Sequence, residues 1–252
     1  MRVRTYGSSG PLVIVLHGGP GASGHMAPVA RGLADMFRVL EPFQRGSGGE
    51  PLTVARHVAD LRELIESRCA GERPALVGSS WGAMLALAFA AAHPDVARAL
   101  VLVGCGTFDK AARARLEETL RERREPDIPL GGDWWQSPAF LRMYAYDLAT
   151  TEVEVEAFDA RACRETWGDM VRLQEEGVYP AAFSAIRTPV LMLHGTFDPH
   201  PGRMIEASLK PHLPQLEYRE WERCGHYPWL EKAVGGEFFG VLREWLAAPT
   251  RG

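Results

Sequence analysis

The segment from Ala75 to Gly82 constrains this chain more than any other stretch. A short apolar run enters it and the alanine-rich run 83–92 leaves it, so the sequence predicts a buried strand, a tight turn and a helix. The turn reads Gly-Ser-Ser-Trp-Gly, a Gly-x-Ser-x-Gly pattern with Ser80 at its centre. Such a turn lifts the central serine above the edge of a sheet, and its glycines let the helix lie close to the strand. Ser80 is therefore the candidate nucleophile.

Apolar strand-like runs alternate with amphipathic helical runs on both sides of this segment, which predicts an α/β fold with a mostly parallel sheet and helices on both faces. The alternation stops between residues 106 and 186. Helices are predicted there at 111–124, 139–148 and 152–176. We therefore expect residues 1–105 and 187–252 to form an α/β core and residues 106–186 to form a small helical cap inserted over it.

A serine hydroxyl becomes an effective nucleophile only when a histidine can take its proton and a carboxylate orients that histidine. Side chains at the carboxyl ends of parallel strands meet at one edge of the sheet. Asp198 follows the predicted strand 190–194, and His226 follows the predicted strand 216–221. The sequence thus predicts Ser80, Asp198 and His226 as nucleophile, acid and base, in the chain order expected for this arrangement.

Four other residues compete for the roles of acid and base. Asp147 and Asp169 are alternative acids, but both fall in the predicted cap. His200 lies in the same loop as Asp198, and His17 begins a glycine-rich loop whose shape it is expected to hold. The favoured pair remains Asp198 and His226.

Acyl transfer also requires two backbone N–H groups that stabilise the oxyanion of the tetrahedral intermediate. One is predicted to be that of Trp81, directly after the candidate nucleophile. The other is predicted in the loop 17–21, His-Gly-Gly-Pro-Gly. The N–H of Gly19 is favoured and that of Gly18 is second, since Pro20 has no N–H to donate.

These motifs together resemble the α/β-hydrolase superfamily and, within it, the proline iminopeptidase-like branch. The segments that carry the resemblance are 17–21, 44–48 (Gln-Arg-Gly-Ser-Gly), 78–82 and 194–198 (His-Gly-Thr-Phe-Asp). The resemblance implies serine-hydrolase chemistry by Ser80, Asp198 and His226, with Gly19 and Trp81 lining the oxyanion hole. It also implies cleavage of N-terminal residues, proline above all, from small peptides or amides.

The chain departs from that branch in its short cap and in its largely missing N-terminal strands. The branch implies cap carboxylates that hold the free amino group of the substrate. The available cap carboxylates are Glu152, Glu154, Glu156, Asp159, Glu175 and Glu176. None can be matched to that role by its position in the sequence. The segment 226–231, His-Tyr-Pro-Trp-Leu-Glu, is in addition similar to the histidine region of esterases and carbon–carbon bond hydrolases.

Candidate substrate-binding residues are Gly18, Trp134, Trp135 and Trp167. The three tryptophans are equally consistent with packing of the cap onto the core. We expect no metal and no cofactor, because the four cysteines are scattered singly and neither glycine-rich loop is followed by Lys-Ser/Thr.

The expected partner is a small molecule or a short peptide. A formal net charge of −4 gives no sign of nucleic acid or of an anionic membrane, and the chain carries no apolar run long enough to span one. Scattered cysteines and the absence of an apolar leader at the N-terminus favour a cytoplasmic location. The oligomeric state is left open.

The preferred function at this point is proline iminopeptidase-like hydrolysis. A carboxylesterase acting on small esters is the alternative within the same chemistry. A hydrolase-like protein that binds a ligand with little turnover is an alternative of another class, and acyl transfer to an alcohol or amine is a third. A cap carboxylate pointing into the pocket near Ser80 would favour the peptidase, whereas an apolar pocket would favour the esterase.

Overall fold

A seven-stranded sheet forms the centre of the protein, in a computed structural model that describes residues 1–124, 138–151, 154 and 156–248. The strands are β1 (Val3–Tyr6), β2 (Leu12–Leu16), β3 (Arg38–Pro42), β4 (Ala75–Ser79), β5 (Ala99–Val103), β6 (Val190–Gly195) and β7 (Leu216–Trp221). Their order across the sheet is β1-β3-β2-β4-β5-β6-β7. Only β1, at one edge, pairs antiparallel; the other neighbours are parallel. The expectation of a mostly parallel α/β sheet is confirmed.

Each central strand is buried on both faces, as its continuous apolar sequence predicts. In β2, Ile14 and Leu16 pack into one hydrophobic cluster, while Val13 and Val15 pack into another on the opposite face of the sheet. The two-residue period of a strand produces this division. Helices must therefore cover both faces.

Eight α-helices lie within the described part of the chain. They are α1 (Ala27–Leu33), α2 (Val54–Arg68), α3 (Trp81–Ala92), α4 (Lys110–Arg123), α5 (Pro138–Tyr144), α6 (Ala160–Glu175), α7 (Gly202–Leu209) and α8 (Gly235–Ala247). Side chains of α1 and α8 pack on one face of the sheet, and those of α2, α3 and α7 pack on the other. Helix α3 is buried along nearly its whole length, which fits its alanine-rich sequence.

The region 106–186 contributes α4, α5 and α6, and its described residues contain no strand of the sheet. Two helices are shorter in the structure than the sequence predicts. The helix predicted at 139–148 ends at Tyr144, because the N–H groups of Tyr146 and Asp147 donate to the carboxylate of Glu231 instead of continuing the helix.

The helix predicted at 152–176 begins only at Ala160. Asp159 caps it by accepting a hydrogen bond from the N–H of Ala162, at 2.9 Å. The residues before the cap run along the early glycine-rich loop, where the N–H groups of Glu156 and Asp159 donate to the carbonyls of Ser23 and Gly21. These long-range backbone bonds replace the helical ones.

Within the residues that the structure describes, no helix is both long enough and apolar enough to cross a membrane.

Candidate active site

Ser80 stands at the turn between β4 and α3, with a left-handed φ of 53°. A non-glycine residue rarely adopts this conformation, and such strain is typical of a nucleophile held on a sharp strand-to-helix turn. The N–H of Ser80 donates to the carbonyl of Val103, which anchors the turn to β5. A Cβ atom at Gly82 would lie 2.2 Å from the carbonyl oxygen of Leu16, so only glycine allows α3 to begin this close to β2.

Asp198 and His226 come from two loops, one after β6 and one after β7, and meet above the sheet edge. Nδ1 of His226 lies 2.7 Å from Oδ2 of Asp198, and both side chains are buried. The residue facing them is Gly104, where a Cβ atom would lie 2.7 Å from Nδ1 of His226. The bond to Asp198 fixes Nδ1 as the protonated nitrogen of neutral His226 and leaves Nε2 free to accept a proton.

The loop that carries His226 is held by Glu231 and by the end of α5. The buried carboxylate of Glu231 accepts the N–H of Gly225 at 2.8 Å, besides the two cap N–H groups described above. The N–H of His226 itself donates to the carbonyl of Tyr144 at 2.7 Å. The position of His226 therefore depends on contacts from both core and cap.

Asp198 contacts two further histidines. Its Oδ1 lies 2.9 Å from both the backbone N and Nδ1 of His200, and its Oδ2 lies 3.2 Å from Nε2 of His194. Burial by itself raises the pKa of Asp198, but the three imidazoles outweigh that effect and hold it well below its usual value. The carboxylate is therefore ionised at neutral pH.

Asp198, His200 and His226 are also the one group in the described part of the chain whose spacing could suit a metal ion. Both ring Nδ1 atoms are already turned to the carboxylate, and the two rings stack at 4.7 Å between centroids with only 19° between their planes. Lone pairs on near-parallel rings do not converge on one ion. We interpret the group as a hydrogen-bonded cluster.

The loop 17–21 is held open by two buried histidines. His17 accepts the N–H of Gln44 on Nε2 at 3.1 Å, and His25 accepts the N–H of Gly18 on Nε2 at 3.3 Å. The N–H of Gly18 is thus committed to His25, while Gly19, with φ of 46°, lines the cavity above Ser80. Sequence reasoning placed His17 in this supporting role but missed His25, since no local pattern reveals a contact across seven residues.

A cavity of about 270 Å³ reaches Ser80 and His226 and is lined by residues of the region 106–186 and by residues outside it. Trp167 and Gly18 line it, as do Gly19 and Trp81. Trp134 and Trp135, the other two predicted substrate-binding residues, lie outside the described residues. Among the described residues that line the cavity, none carries a carboxylate, an ammonium or a guanidinium group. The lining is dominated by aromatic and aliphatic side chains.

The cap carboxylates that could have held a substrate amino group have other partners. Glu154 pairs with Arg31, Glu156 pairs with Arg2 at 2.8 Å, and Glu176 pairs with Arg172 at 2.6 Å. Asp159 accepts both the N–H and the hydroxyl of Ser47. Glu175 is exposed, and Glu152 lies outside the described residues.

The alternative acids also lie away from His226. The carboxylate of Asp147 pairs with Lys232, and that of Asp169 accepts the N–H of Val54 at 2.8 Å. Of the carboxylates in the described part of the chain, Asp198 is the one bonded to His226.

Buried neutral histidines near the site make stability sensitive to acid. Burial lowers the pKa of His17 from 6.5 to about 3, and those of His25 and His57 to about 4. Between about pH 6.5 and pH 4, the unfolded chain therefore binds a proton on each of these three histidines that the folded protein does not bind. We expect the contribution of each histidine to the free energy of unfolding to be complete above about pH 6.5. Within the range it should fall by about 1.4 kcal/mol for each pH unit that the pH is lowered.

Urea titrations at a series of pH values measure this slope. His57→Gln removes one of the titrating groups and should lower the slope by about one proton. The fold should persist, because glutamine can still bond to the hydroxyl of Thr166, which lies 3.0 Å from Nε2 of His57. A wild-type slope of less than about 1.4 kcal/mol per pH unit, which corresponds to one proton, would contradict the prediction.

The family to which this chain belongs is decided by a match along most of its length. The model of the alpha/beta hydrolase family matches residues 13–235 of the 252. The chain belongs to this family. The matched span includes the loop 17–21, the turn around Ser80, Asp198 and His226.

Curated relatives extend over the full chain at low identity. A proline iminopeptidase from Lactobacillus helveticus (strain DPC 4571) is 25% identical over 278 residues, which cover 95% of this chain and 90% of that protein. A 2-hydroxy-6-oxo-2,4-heptadienoate hydrolase from Pseudomonas putida F1 is 27% identical over 274 residues, covering 96% and 91%. The resemblance to the proline iminopeptidase branch is supported by the first of these matches.

Solved structures with the same fold include a thermophilic esterase from Thermogutta terrifontis. It superposes with a TM-score of 0.68 at 21% identity, over 97% of this chain and 92% of that chain. At this identity the likeness concerns the fold alone.

Proposed function

We propose that the protein is a serine carboxylesterase acting on small, uncharged esters. The observation that carries this proposal is the cavity beside Ser80 and His226, whose described lining holds no charged group. An ammonium group buried there without a partner would cost several kcal/mol, by the general cost of burying an unpaired charge. An uncharged ester meets no such cost, and its apolar parts gain from contact with the aromatic lining.

In the proposed reaction, Nε2 of His226 takes the proton of the Ser80 hydroxyl as its oxygen attacks the ester carbonyl carbon. The carbonyl oxygen becomes an oxyanion, which we assign to the N–H groups of Gly19 and Trp81. Gly18 is excluded from this role because its N–H is bonded to His25. The protonated His226, stabilised by ionised Asp198, then gives the proton to the leaving alkoxide.

Collapse of the intermediate leaves an acyl-enzyme on Ser80 and releases the alcohol. Water then attacks the acyl carbon while His226 again removes a proton, and the carboxylic acid leaves with Ser80 restored. Each half-reaction uses the same oxyanion donors, so one arrangement serves both steps.

A second candidate is prolyl aminopeptidase activity, which the relative from Lactobacillus helveticus favours. That function needs a group that accepts hydrogen bonds from the substrate's ammonium. The described cap carboxylates do not supply one: Glu154, Glu156, Asp159 and Glu176 bond to other groups, Glu175 is exposed, and none of them lines the cavity. The two functions thus differ in a single requirement, the recognition of an amino group.

Two methyl esters of the same shape test whether the protein recognises an amino group. Methyl cyclopentanecarboxylate and proline methyl ester have rings of the same shape and differ in the amino group. For an esterase with this cavity, kcat/KM for the cyclopentane ester should exceed that for the proline ester by at least about tenfold, with Ser80→Ala as the blank. A tenfold preference for the proline ester, accompanied by cleavage of L-prolyl-p-nitroanilide, would replace the proposal with the aminopeptidase. Binding of either ester without turnover would favour a ligand-binding protein.

A further inference from the structure

Two tyrosine rings flank His226 at the cavity. Tyr144 ends α5 in the cap, and Tyr227 directly follows His226 in the core. Their ring centroids lie 5.5 Å and 4.9 Å from that of His226, at interplanar angles of 66° and 79°. Both side chains line the cavity that reaches Ser80.

Packing fixes both rings. Tyr144 stacks on Phe140 at 4.4 Å between centroids, with 22° between the planes. Tyr227 meets Trp229 edge-to-face at 5.6 Å. Two phenol rings held in this way have few conformations to lose when a ligand binds, so their hydroxyl groups are preorganised.

Neither hydroxyl forms a hydrogen bond with another described residue of the protein. Both tyrosines are half-buried, and neither hydroxyl is among the fully enclosed unpaired polar atoms, so both are open to the cavity and can donate to a ligand oxygen there. Burial raises the pKa of both phenols, and the charge of Asp198 raises it further. Both groups therefore remain neutral hydrogen-bond donors at and above neutral pH, in a cavity whose lining is mostly aromatic and aliphatic.

We propose that Tyr144 and Tyr227 form a subsite that binds an uncharged oxygen of the substrate's alcohol part, such as an ether or ketone oxygen. This rests on the proposed esterase function. The alcohol part is chosen because His226 must reach the leaving alkoxide oxygen to protonate it, so residues that flank His226 face that side of the ester.

The oxygen should be uncharged for electrostatic reasons. No described lining residue carries a positive charge, and the ionised Asp198 close to both phenols disfavours an anion between them. A hydrocarbon at the same place would cover the two hydroxyl donors without accepting a hydrogen bond from either, so the subsite discriminates against it.

Two pairs of butyrate esters with equal numbers of heavy atoms test the subsite. The first pair is 2-methoxyethyl butyrate and n-butyl butyrate, and the second is 2-oxopropyl butyrate and isobutyl butyrate. The measured quantity is the ratio of kcat/KM within each pair, from acid release. Comparing that ratio between variants cancels the different chemical reactivities of the two alcohols.

Tyr144→Phe and Tyr227→Phe keep the ring packing and remove only the hydroxyl. Each should lower the oxygen-to-hydrocarbon ratio by about fivefold in at least one pair, the effect of losing one neutral hydrogen bond. Tyr146→Phe is the matched control: this exposed tyrosine packs against Phe197 outside the cavity and should leave both ratios unchanged. A change below twofold in both tyrosine variants would overturn the proposal.

A third pair, n-butyl methoxyacetate and n-butyl butyrate, places the oxygen in the acyl part instead. If only this ratio responds to the tyrosine variants, the assignment to the alcohol side is wrong.

Binding to Ser80→Ala separates the subsite from the catalytic proposal. Dissociation constants of the same esters should show the same preference for oxygen, and adding Tyr144→Phe or Tyr227→Phe should reduce it. Preference in binding without any turnover in wild type would retain the subsite and reject the esterase. Turnover whose ratios do not respond to either tyrosine variant would retain the esterase and reject the subsite.

Discussion

Replacing Ser80 with alanine is expected to lower kcat/KM for ester hydrolysis by about 10⁴-fold or more, since no nucleophile remains to form the acyl-enzyme. The fold should persist, because Ser80 is anchored through its backbone: its N–H donates to the carbonyl of Val103. A left-handed φ is no more favourable for alanine than for serine, so the substitution changes the chemistry with little change in strain. Initial rates on methyl cyclopentanecarboxylate measure the loss.

The neighbouring serine supplies a matched control. Ser79 is buried at the end of β4, and its hydroxyl has no hydrogen-bond partner among the described residues. Ser79→Ala removes the same atom one residue away and should change kcat/KM by less than about tenfold. Equal circular dichroism spectra and urea midpoints would exclude unfolding as the cause of a difference. More than a tenth of wild-type activity in Ser80→Ala would reject Ser80 as the nucleophile.

The strands were predictable because buried parallel strands have continuous apolar sequences. The predicted strand 190–194 falls within β6, and the turn around Ser80 is where its glycines indicated. The helix α7 was not predicted, and the order of strands across the sheet depends on long-range packing that no local pattern encodes.

The cap was less predictable because its boundaries depend on distant partners. Helix α5 stops where Glu231, more than eighty residues away in sequence, accepts the next N–H groups. Helix α6 starts late because the preceding residues bond to the early glycine-rich loop. Helical propensity was sufficient to predict that helices exist there but could not determine their ends.

In the candidate site, too, residues next to recognisable strands could be predicted, whereas contacts between distant parts of the chain could not. Asp198 and His226 could be chosen because each follows a recognisable strand. The hydrogen bond of His200 to Asp198 and the close approach of His194 to the same carboxylate could not be derived, since they depend on the path of the loop after β6. Nor could the sequence reveal that the cap carboxylates face Arg31, Arg2 and Arg172. Because these carboxylates are paired with arginines, the proposed substrate is an uncharged ester and not a prolyl amide.

Asp198→Asn is expected to lower kcat by about 10³- to 10⁴-fold. An asparagine amide can donate to Nδ1 of His226, which would place the imidazole proton on Nε2, where it blocks removal of the Ser80 proton. The effect should fall on kcat with KM little changed, because Asp198 does not line the cavity and acts on the protonated His226 of the transition state.

Asp147→Asn is the control for this substitution, since the carboxylate of Asp147 pairs with Lys232 at the surface and does not contact His226. It should change kcat by less than about twofold, as expected for an exposed ion pair. Because Asp198 also bonds to His200 and lies 3.2 Å from Nε2 of His194, the urea midpoint of Asp198→Asn must be measured alongside its rate. A folded Asp198→Asn protein that loses less than tenfold in kcat would show that another group orients His226. A loss of the expected size in a folded protein would establish that Asp198, despite being shared among three imidazoles, sets the tautomer of the one that faces Ser80.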